Sequence, residues 1–156
     1  MVERAARAAS KDAQGRPGEG ALESLIGYHL RRASLADLNG VSAVLAKAQT
    51  RPVPLSVFTK IVEKPGITAA EICRELAIQR ANMVPILAEL ESRGLFVREQ
   101  DARDQRIQRL YATRAGRTLH AQWMAAVRAH EERLLGRLTE AERESLRELL
   151  EKIWRD

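Results

Sequence analysis

The sequence predicts a mainly α-helical fold with a small β-hairpin, in which a winged helix-turn-helix lobe lies between flanking helices. Apolar residues recur at helical spacing through most of the chain. In its middle, two short helical patterns joined by a tight turn are followed by two runs with strand-like alternation. Helix, turn, helix and hairpin in that order make a helix-turn-helix with an appended wing. A helical domain with one stray hairpin is the alternative interpretation.

The first helical pattern is long and is interrupted at Asn39-Gly40. The interruption indicates either a kink in one long helix or a break between two helices, and we favour one helix. The Pro-rich run at 51–54 ends this pattern. It also lets Pro54 occupy the first turn of the second helix, where the missing N–H of proline costs little. We expect the second helix to stop at Pro65-Gly66.

Threonines mark the starts of three of the remaining helices. Thr68 is followed three residues later by Glu71, and Thr139 by Glu142, which is the pattern of a capping box. Thr113 follows the second strand-like run and precedes a long helical pattern, so we expect it to cap that helix. The turn of the hairpin, between the two runs, holds an unusual cluster of opposite charges.

Composition limits the classes of function. The formal net charge is +5 and the pI about 9.9, which suits a polyanionic partner, although many basic proteins bind none. The single cysteine, Cys73, excludes an internal disulfide, fits a reducing compartment and is expected to be structural, so we expect a cytoplasmic protein. No apolar run is long enough to cross a membrane. Residues 1–20 lack the apolar stretch of a signal peptide, and we interpret them as a mobile tail.

The sequence offers no catalytic or metal-binding motif. His29, His120 and His130 have neither a cysteine cluster nor the spacing of a zinc motif. No nucleophile–base constellation, Gly-rich phosphate loop or carboxylate pair stands out. We therefore expect no enzyme activity, no metal and no cofactor.

Three stretches in the middle of the chain resemble the MarR family of bacterial transcriptional regulators. They are PGITAAEICRELAIQRANMV, LAELESRGLFVRE and DARDQRIQRLYATRAGR, and GYHLRRA resembles the family's first helix. The third stretch carries the wing signature Asp-x-Arg-Asp-x-Arg, followed by Leu-x-x-Thr-x-x-Gly at Leu110, Thr113 and Gly116. The resemblance covers roughly residues 22–154.

The resemblance implies a homodimer that binds double-stranded DNA at a pseudo-palindromic operator. The expected organisation is one domain, residues 21–156. Within it, residues 21–50 and 114–156 form the dimerisation helices and residues 54–113 form the DNA-binding lobe. The apolar faces of the flanking helices support a dimer independently, because they are too long for the small lobe to cover.

The charge cluster is expected to place a cation in the minor groove of DNA. By the resemblance, Arg103 is the inserted residue, while Asp104 and Arg106 brace the wing. Asp101 and Asp104 are expected to pair with Arg106 and with backbone N–H groups, which stiffens the turn. Ten residues are predicted at the DNA interface: Thr68, Gln79, Arg80, Ala81, Asn82, Pro85, Asp101, Arg103, Asp104 and Arg106.

The recognition helix within residues 79–94 departs from the family's usual pattern. Its outward face is small and poor in hydrogen-bond donors, so Arg80 and Asn82 are the expected polar readers of bases. Pro85 either kinks the helix or lies in its first turn, in which case the helix starts at Asn82. We expect the protein to depend more than usual on wing contacts and DNA shape.

The resemblance also implies an effector, a small phenolic or aromatic carboxylate or its acyl-coenzyme A thioester, bound between the dimerisation helices and the lobe. Arg31 and Arg32 are the candidates for its carboxylate or phosphates. The full set of candidate ligand-binding residues is Tyr28, His29, Arg31, Arg32, Phe58, His120, Trp123 and Met124. A solvated helix face for the arginines and a core position for Trp123 are the alternatives.

The sequence thus predicts a dimeric repressor that an effector releases from DNA. An activator or a regulator without an effector is an alternative. A winged helix that serves as a protein-interaction module is another. The donor-poor recognition face favours this last alternative, and the wing signature opposes it.

Overall fold

The computed structural model describes residues 20–155 and contains six helices and one hairpin in that part of the chain. The predicted mobile tail, residues 1–20, lies outside the described residues except for Gly20. In chain order the elements are α1 (Ile26–Lys47), α2 (Pro52–Glu63), α3 (Ala69–Glu75), α4 (Arg80–Ser92), β1 (Phe96–Gln100), β2 (Gln108–Ala112), α5 (Arg114–Leu134) and α6 (Glu140–Trp154). The mainly helical winged-helix fold predicted from the sequence is confirmed.

The first helix is continuous through Asn39-Gly40, so the single-helix interpretation is confirmed. The glycine has a packing role that the sequence did not reveal. A Cβ atom built on Gly40 would lie 2.0 Å from Cε1 of His130, a buried residue of α5. Gly40 is therefore needed where the two helices approach closely, and it does not mark a break.

By its contacts the chain divides into two units, one ending at Asn39 and one beginning at Gly40. In the first unit, the large apolar side chains of the described residues are exposed rather than buried. They are Leu22, Leu25, Ile26, Leu30, Leu35 and Leu38.

The second unit contains the hydrophobic core. Phe58 and Ile61 of α2, Leu90 of α4, Leu110 of β2 and Trp123 of α5 are almost completely buried. The core therefore joins α2, α4, the wing and α5.

The wing is a two-stranded antiparallel hairpin whose register runs from Phe96 opposite Ala112 to Gln100 opposite Gln108. A bridge extends it: the N–H of Leu110 donates to the carbonyl of Ile67 at 3.1 Å, just before α3. The wing is thus anchored to the start of the helix-turn-helix.

The predicted helix caps are confirmed at Thr68, Thr113 and Thr139. Thr113 Oγ1 accepts a hydrogen bond of 2.9 Å from the N–H of Gly116, which explains the Thr-x-x-Gly part of the wing signature. A Cβ atom on Gly116 would lie 2.1 Å from the carbonyl oxygen of Leu95. Only glycine allows this approach of helix α5 to Leu95, the residue just before β1.

Helix α6 buries none of its residues, although one side of it is apolar. Leu149, Ile153 and Trp154 are all exposed.

Among residues 20–155, no helix combines the length and the apolar character that crossing a lipid bilayer requires.

Candidate nucleic-acid interface

The recognition helix, α4, begins at Arg80, with Gln79 as its N-cap residue. The interpretation that it begins at Asn82 is therefore wrong. Pro85 lies inside the helix, beyond the first turn, so the carbonyl of Ala81 has no N–H donor four residues further along. The sequence favoured neither reading of this proline, and the structure places it in the helix interior.

The inward face of α4 consists of Met83, Leu87 and Leu90, which are buried. Ala81, Asn82, Pro85 and Ala88 are exposed on the other side. The outward face is thus as poor in donors as the sequence indicated.

Val84 is a residue that the sequence analysis missed. This residue is hydrophobic and yet 66% exposed. Val84 lies on the side of α4 between its buried face and its outward face. Only those two faces were described from the sequence, and this position was therefore not considered. The sequence holds no signal for it, because the exposure of Val84 is known only from the structure.

A cleft of about 500 Å³ separates α4 from the wing. Its walls include the guanidinium side chains of Arg80, Arg98 and Arg106, with Thr68 at the start of the helix-turn-helix. Arg98 forms an ion pair with Glu91, in which Nε of the arginine lies 2.9 Å from Oε1 of the glutamate. Arg80 and Arg106 have no ion-pair partner within residues 20–155, so their charge is available to a polyanion.

At the tip of the wing, Asp101 organises the backbone. One of its carboxylate oxygens accepts hydrogen bonds from the N–H of Arg103 at 2.8 Å and of Asp104 at 3.1 Å. Asp104 in turn accepts a bond of 3.0 Å from the N–H of Arg106. The expected bonds to backbone N–H groups are confirmed, and they fix a turn that contains neither Asn-Gly nor Asp-Gly.

The ion pair at the wing differs from the expected one. Asp101 pairs with Arg109 of β2 and not with Arg106. Nη1 of Arg109 also donates to the carbonyl of Gly66 at 2.9 Å, which connects the tip to the turn before α3. Arg109 lies in strand β2, on the strand opposite the end of β1 that Asp101 follows. Arg106 lies in the turn between the two strands.

The pKa of the Asp101 carboxyl is held below its usual value, first by the N–H of Arg103 and next by the hydrogen bond from Arg109. The carboxylate therefore stays ionised and keeps both hydrogen bonds at neutral pH. The Arg103 side chain is exposed, and within the described residues it contacts no acidic group. The backbone of Arg103 is fixed while its guanidinium remains in solvent.

Three of the candidate effector residues form an aromatic group in the second unit. The ring centroids of His120 and Trp123 lie 5.9 Å and 6.0 Å, respectively, from the ring centroid of Phe58, and both contacts are edge-to-face. Phe58 and Trp123 are core side chains, and the Trp123 indole N–H donates to the carbonyl of Ala48 at 3.2 Å. His120 is only partly buried, with Nε2 at 2.9 Å from Thr59 Oγ1, and burial lowers its pKa.

Met124 packs against the edge of this core. The other candidate effector residues lie on α1, within the first unit. Arg32 Nη1 donates to the Tyr28 hydroxyl at 3.3 Å, and His29 Nε2 lies 2.7 Å from the carbonyl oxygen of Glu23. Arg31 is exposed.

Comparison with known proteins identifies the family. The sequence model of the MarR family matches residues 57–107. A solved structure of the transcriptional repressor CouR bound to a 23-mer DNA duplex is 34% identical, with a TM-score of 0.81 over 90% of this chain and 100% of that one.

Two further structures are similar. CouR from Rhodococcus jostii RHA1 bound to p-coumaroyl-CoA is 28% identical, with a TM-score of 0.77, over 86% of this chain and 95% of that one. The Mycobacterium tuberculosis MarR family protein Rv2887 in complex with salicylic acid is 28% identical, with a TM-score of 0.67, over 83% and 96%. The chain therefore belongs to the MarR family of DNA-binding transcriptional regulators and is not an enzyme.

Proposed function

We propose that this regulator is a homodimeric repressor, that it binds a pseudo-palindromic operator through Arg103 of the wing and through α4, and that an aromatic anion releases it. The observation that carries the DNA-binding part is the wing tip. Asp101 holds the backbone N–H of Arg103 at 2.8 Å while the Arg103 side chain stays in solvent. A fixed backbone lowers the entropy lost when the guanidinium enters a groove, and a narrow minor groove attracts arginine strongly.

The cleft supplies the second element of the proposed interface. Arg80 and Arg106 line it without an ion-pair partner in the described part of the chain. Their charge suits phosphate neutralisation, which makes binding depend on salt. Arg80, the first residue of α4, and Asn82, its third residue, remain the proposed readers of base edges.

A second copy of the chain is the proposed cover for the exposed apolar residues of α1 and α6. Each of these helices exposes several large apolar side chains, and exposed apolar surface is typical of sites where proteins associate. Two-fold symmetry then predicts half-sites whose centres lie one helical turn of DNA apart, about 34–36 Å.

The experiment selects a duplex from a randomised pool and compares it with a scrambled duplex by fluorescence anisotropy. We expect the selected duplex to be pseudo-palindromic and to bind on the order of 1,000-fold more tightly or better. We also expect log K to fall linearly with log salt concentration. Equal binding of the two duplexes would favour the protein-interaction module, which the donor-poor face of α4 suggests.

For the effector, the proposal is an aromatic carboxylate or its coenzyme A thioester, because the structures of relatives hold p-coumaroyl-CoA and salicylic acid. Arg31 and Arg32 are the proposed contacts for its anionic group. p-Coumaroyl-CoA, p-coumarate and salicylate are titrated into the complex of protein and selected duplex.

Arg31→Ala and Arg32→Ala should each raise the effector concentration that releases DNA while DNA affinity stays nearly unchanged. Arg137→Ala, at an exposed position between α5 and α6, is the matched control and should change neither quantity. A wild-type response in both variants would show that these arginines are surface residues.

A further inference from the structure

We infer that Val84 reads a thymine methyl group in the major groove of the operator and so helps to determine which sequence the protein prefers. This inference rests on the proposed DNA interface. It adds a specificity residue that lies outside the predicted set.

The first observation is the exposure of Val84. At 66% it is the most exposed large apolar side chain of residues 54–113, ahead of Val97 at 47% and Ile107 at 38%. Valine at this position contributes little to the stability of the fold, because it buries little area in the folded chain and is a weaker helix former than alanine. A partner that buries the side chain gives a reason.

The second observation is the chemistry around Val84. Ala81, Pro85 and Ala88 are its neighbours on the exposed surface of α4, at spacings of three, one and four residues. None of these side chains carries a hydrogen-bond donor. The immediate surroundings of Val84 are therefore apolar, and this part of α4 cannot discriminate bases through hydrogen bonds, which Arg80 and Asn82 would supply.

The third observation is charge. Val84 shares the walls of the cleft with Arg80 and Arg106, and Arg80 precedes it by one helical turn. A protein partner with an apolar surface gains little from two unpaired guanidinium groups beside it. The major groove of DNA offers both features, because phosphates flank it and the thymine C5-methyl is the apolar group on its floor.

These observations select one occupant, a duplex whose half-site presents a thymine methyl next to the base pair that Arg80 contacts. The methyl contact can be tested separately from the other contacts with DNA. Replacing thymine by uracil removes the methyl and leaves the charge, the base pairing and the hydrogen-bonding groups unchanged.

The test uses the full-length protein and the duplex selected from the randomised pool. Each thymine of a half-site is replaced in turn by deoxyuridine, together with its symmetry mate, and affinity is measured by anisotropy. At one position we expect a loss of about 4-fold per half-site, or about 15-fold for the pair, from one buried methyl each. The salt dependence should not change.

Val84→Ala should bind the thymine duplex more weakly and should bind the thymine and deoxyuridine duplexes equally. The substitution keeps the helix, because alanine is the better helix former. Val53→Ala, at an exposed position of α2 outside the cleft, is the matched control and should keep the wild-type ratio.

Equal binding of thymine and deoxyuridine at every position would overturn the inference and leave DNA binding itself intact. A Val84→Ala variant that keeps the wild-type ratio would also overturn it, because the methyl contact would then belong to another residue. Failure of the wild type to prefer any selected duplex would overturn the proposed interface on which the inference rests.

Discussion

The carboxylate of Asp101 accepts a hydrogen bond of 2.8 Å from the backbone N–H of Arg103. The same carboxylate pairs with Arg109, whose guanidinium reaches the carbonyl of Gly66. One acidic side chain therefore fixes the residue proposed to enter the minor groove and also ties the wing tip to the helix-turn-helix.

Asp101→Ala should weaken DNA binding by about 3- to 10-fold, because the turn loses two backbone hydrogen bonds and an ion pair. The salt slope should be nearly kept, since the substitution removes no cation. Asp104→Ala, which removes the side-chain oxygen that accepts from the backbone N–H of Arg106, should have the smaller effect. Anisotropy across a salt series distinguishes the two, and a larger loss in Asp104→Ala would contradict the assigned role of Asp101.

The ordering of the wing should depend on pH in the acidic range. The pKa of Asp101 is lowered in the folded protein, so the carboxylate stabilises the turn at every pH above its ordinary value of about 4. That stability is lost as the pH falls below this value and through the lowered folded pKa. Amide chemical shifts of Arg103 and Asp104 should stay constant from pH 8 to about 5 and change only in stronger acid.

Asp101→Asn is the control for this pH dependence. It keeps a side-chain oxygen that accepts from the two N–H groups but cannot titrate. Its amide shifts should lack the acid transition. A transition at or above the ordinary aspartate pKa in the wild type would show that these hydrogen bonds do not hold the carboxylate.

Gly116→Ala should destabilise the fold by about 1–3 kcal/mol or more, because the added Cβ would lie 2.1 Å from the backbone oxygen of Leu95. Gly27→Ala is the matched control, since no atom lies within 4 Å of a Cβ at that helical position. It should stabilise by up to about 1 kcal/mol. Chemical denaturation measures both, and equal effects would contradict the close approach of α5 to the wing.

Ile153→Arg should convert the proposed dimer to a monomer or to a weaker dimer, because it places a charge among the exposed apolar residues of α6 that the partner would cover. Glu148→Arg, at an exposed polar position of the same helix, should leave the dimer intact. Sizing by light scattering at micromolar concentration measures this. A wild-type monomer would contradict the proposed dimer outright.

Much of the fold could be predicted because local signals agree with it. The capping boxes at Thr68 and Thr139 and the positive backbone φ angle of 66° at Gly94 depend only on nearby residues. The role of Gly40 could not be predicted, because His130 lies far away in the sequence.

At the wing tip, the hydrogen bonds from backbone N–H groups to Asp101 could be predicted from the sequence. The arginine that forms an ion pair with Asp101 could not. Asp101 bonds to N–H groups two and three residues ahead, which is a local arrangement. Its pairing with Arg109 depends on the register of the hairpin. The position of Pro85 depended on where α4 begins, and neither Gln79 nor Asn82 gave a decisive capping signal.

Replacing Arg103 with alanine and measuring DNA affinity over a salt series tests the central claim most directly. If Arg103 enters the minor groove, the variant should bind every sequence more weakly. Its salt slope should fall by about one unit for each lost phosphate neutralisation, about two per dimer at most. It should also lose preference for narrow, A·T-rich flanks. Arg137→Ala removes the same charge outside the interface and should match the wild type. Wild-type binding by Arg103→Ala at every salt concentration would contradict this account of the wing.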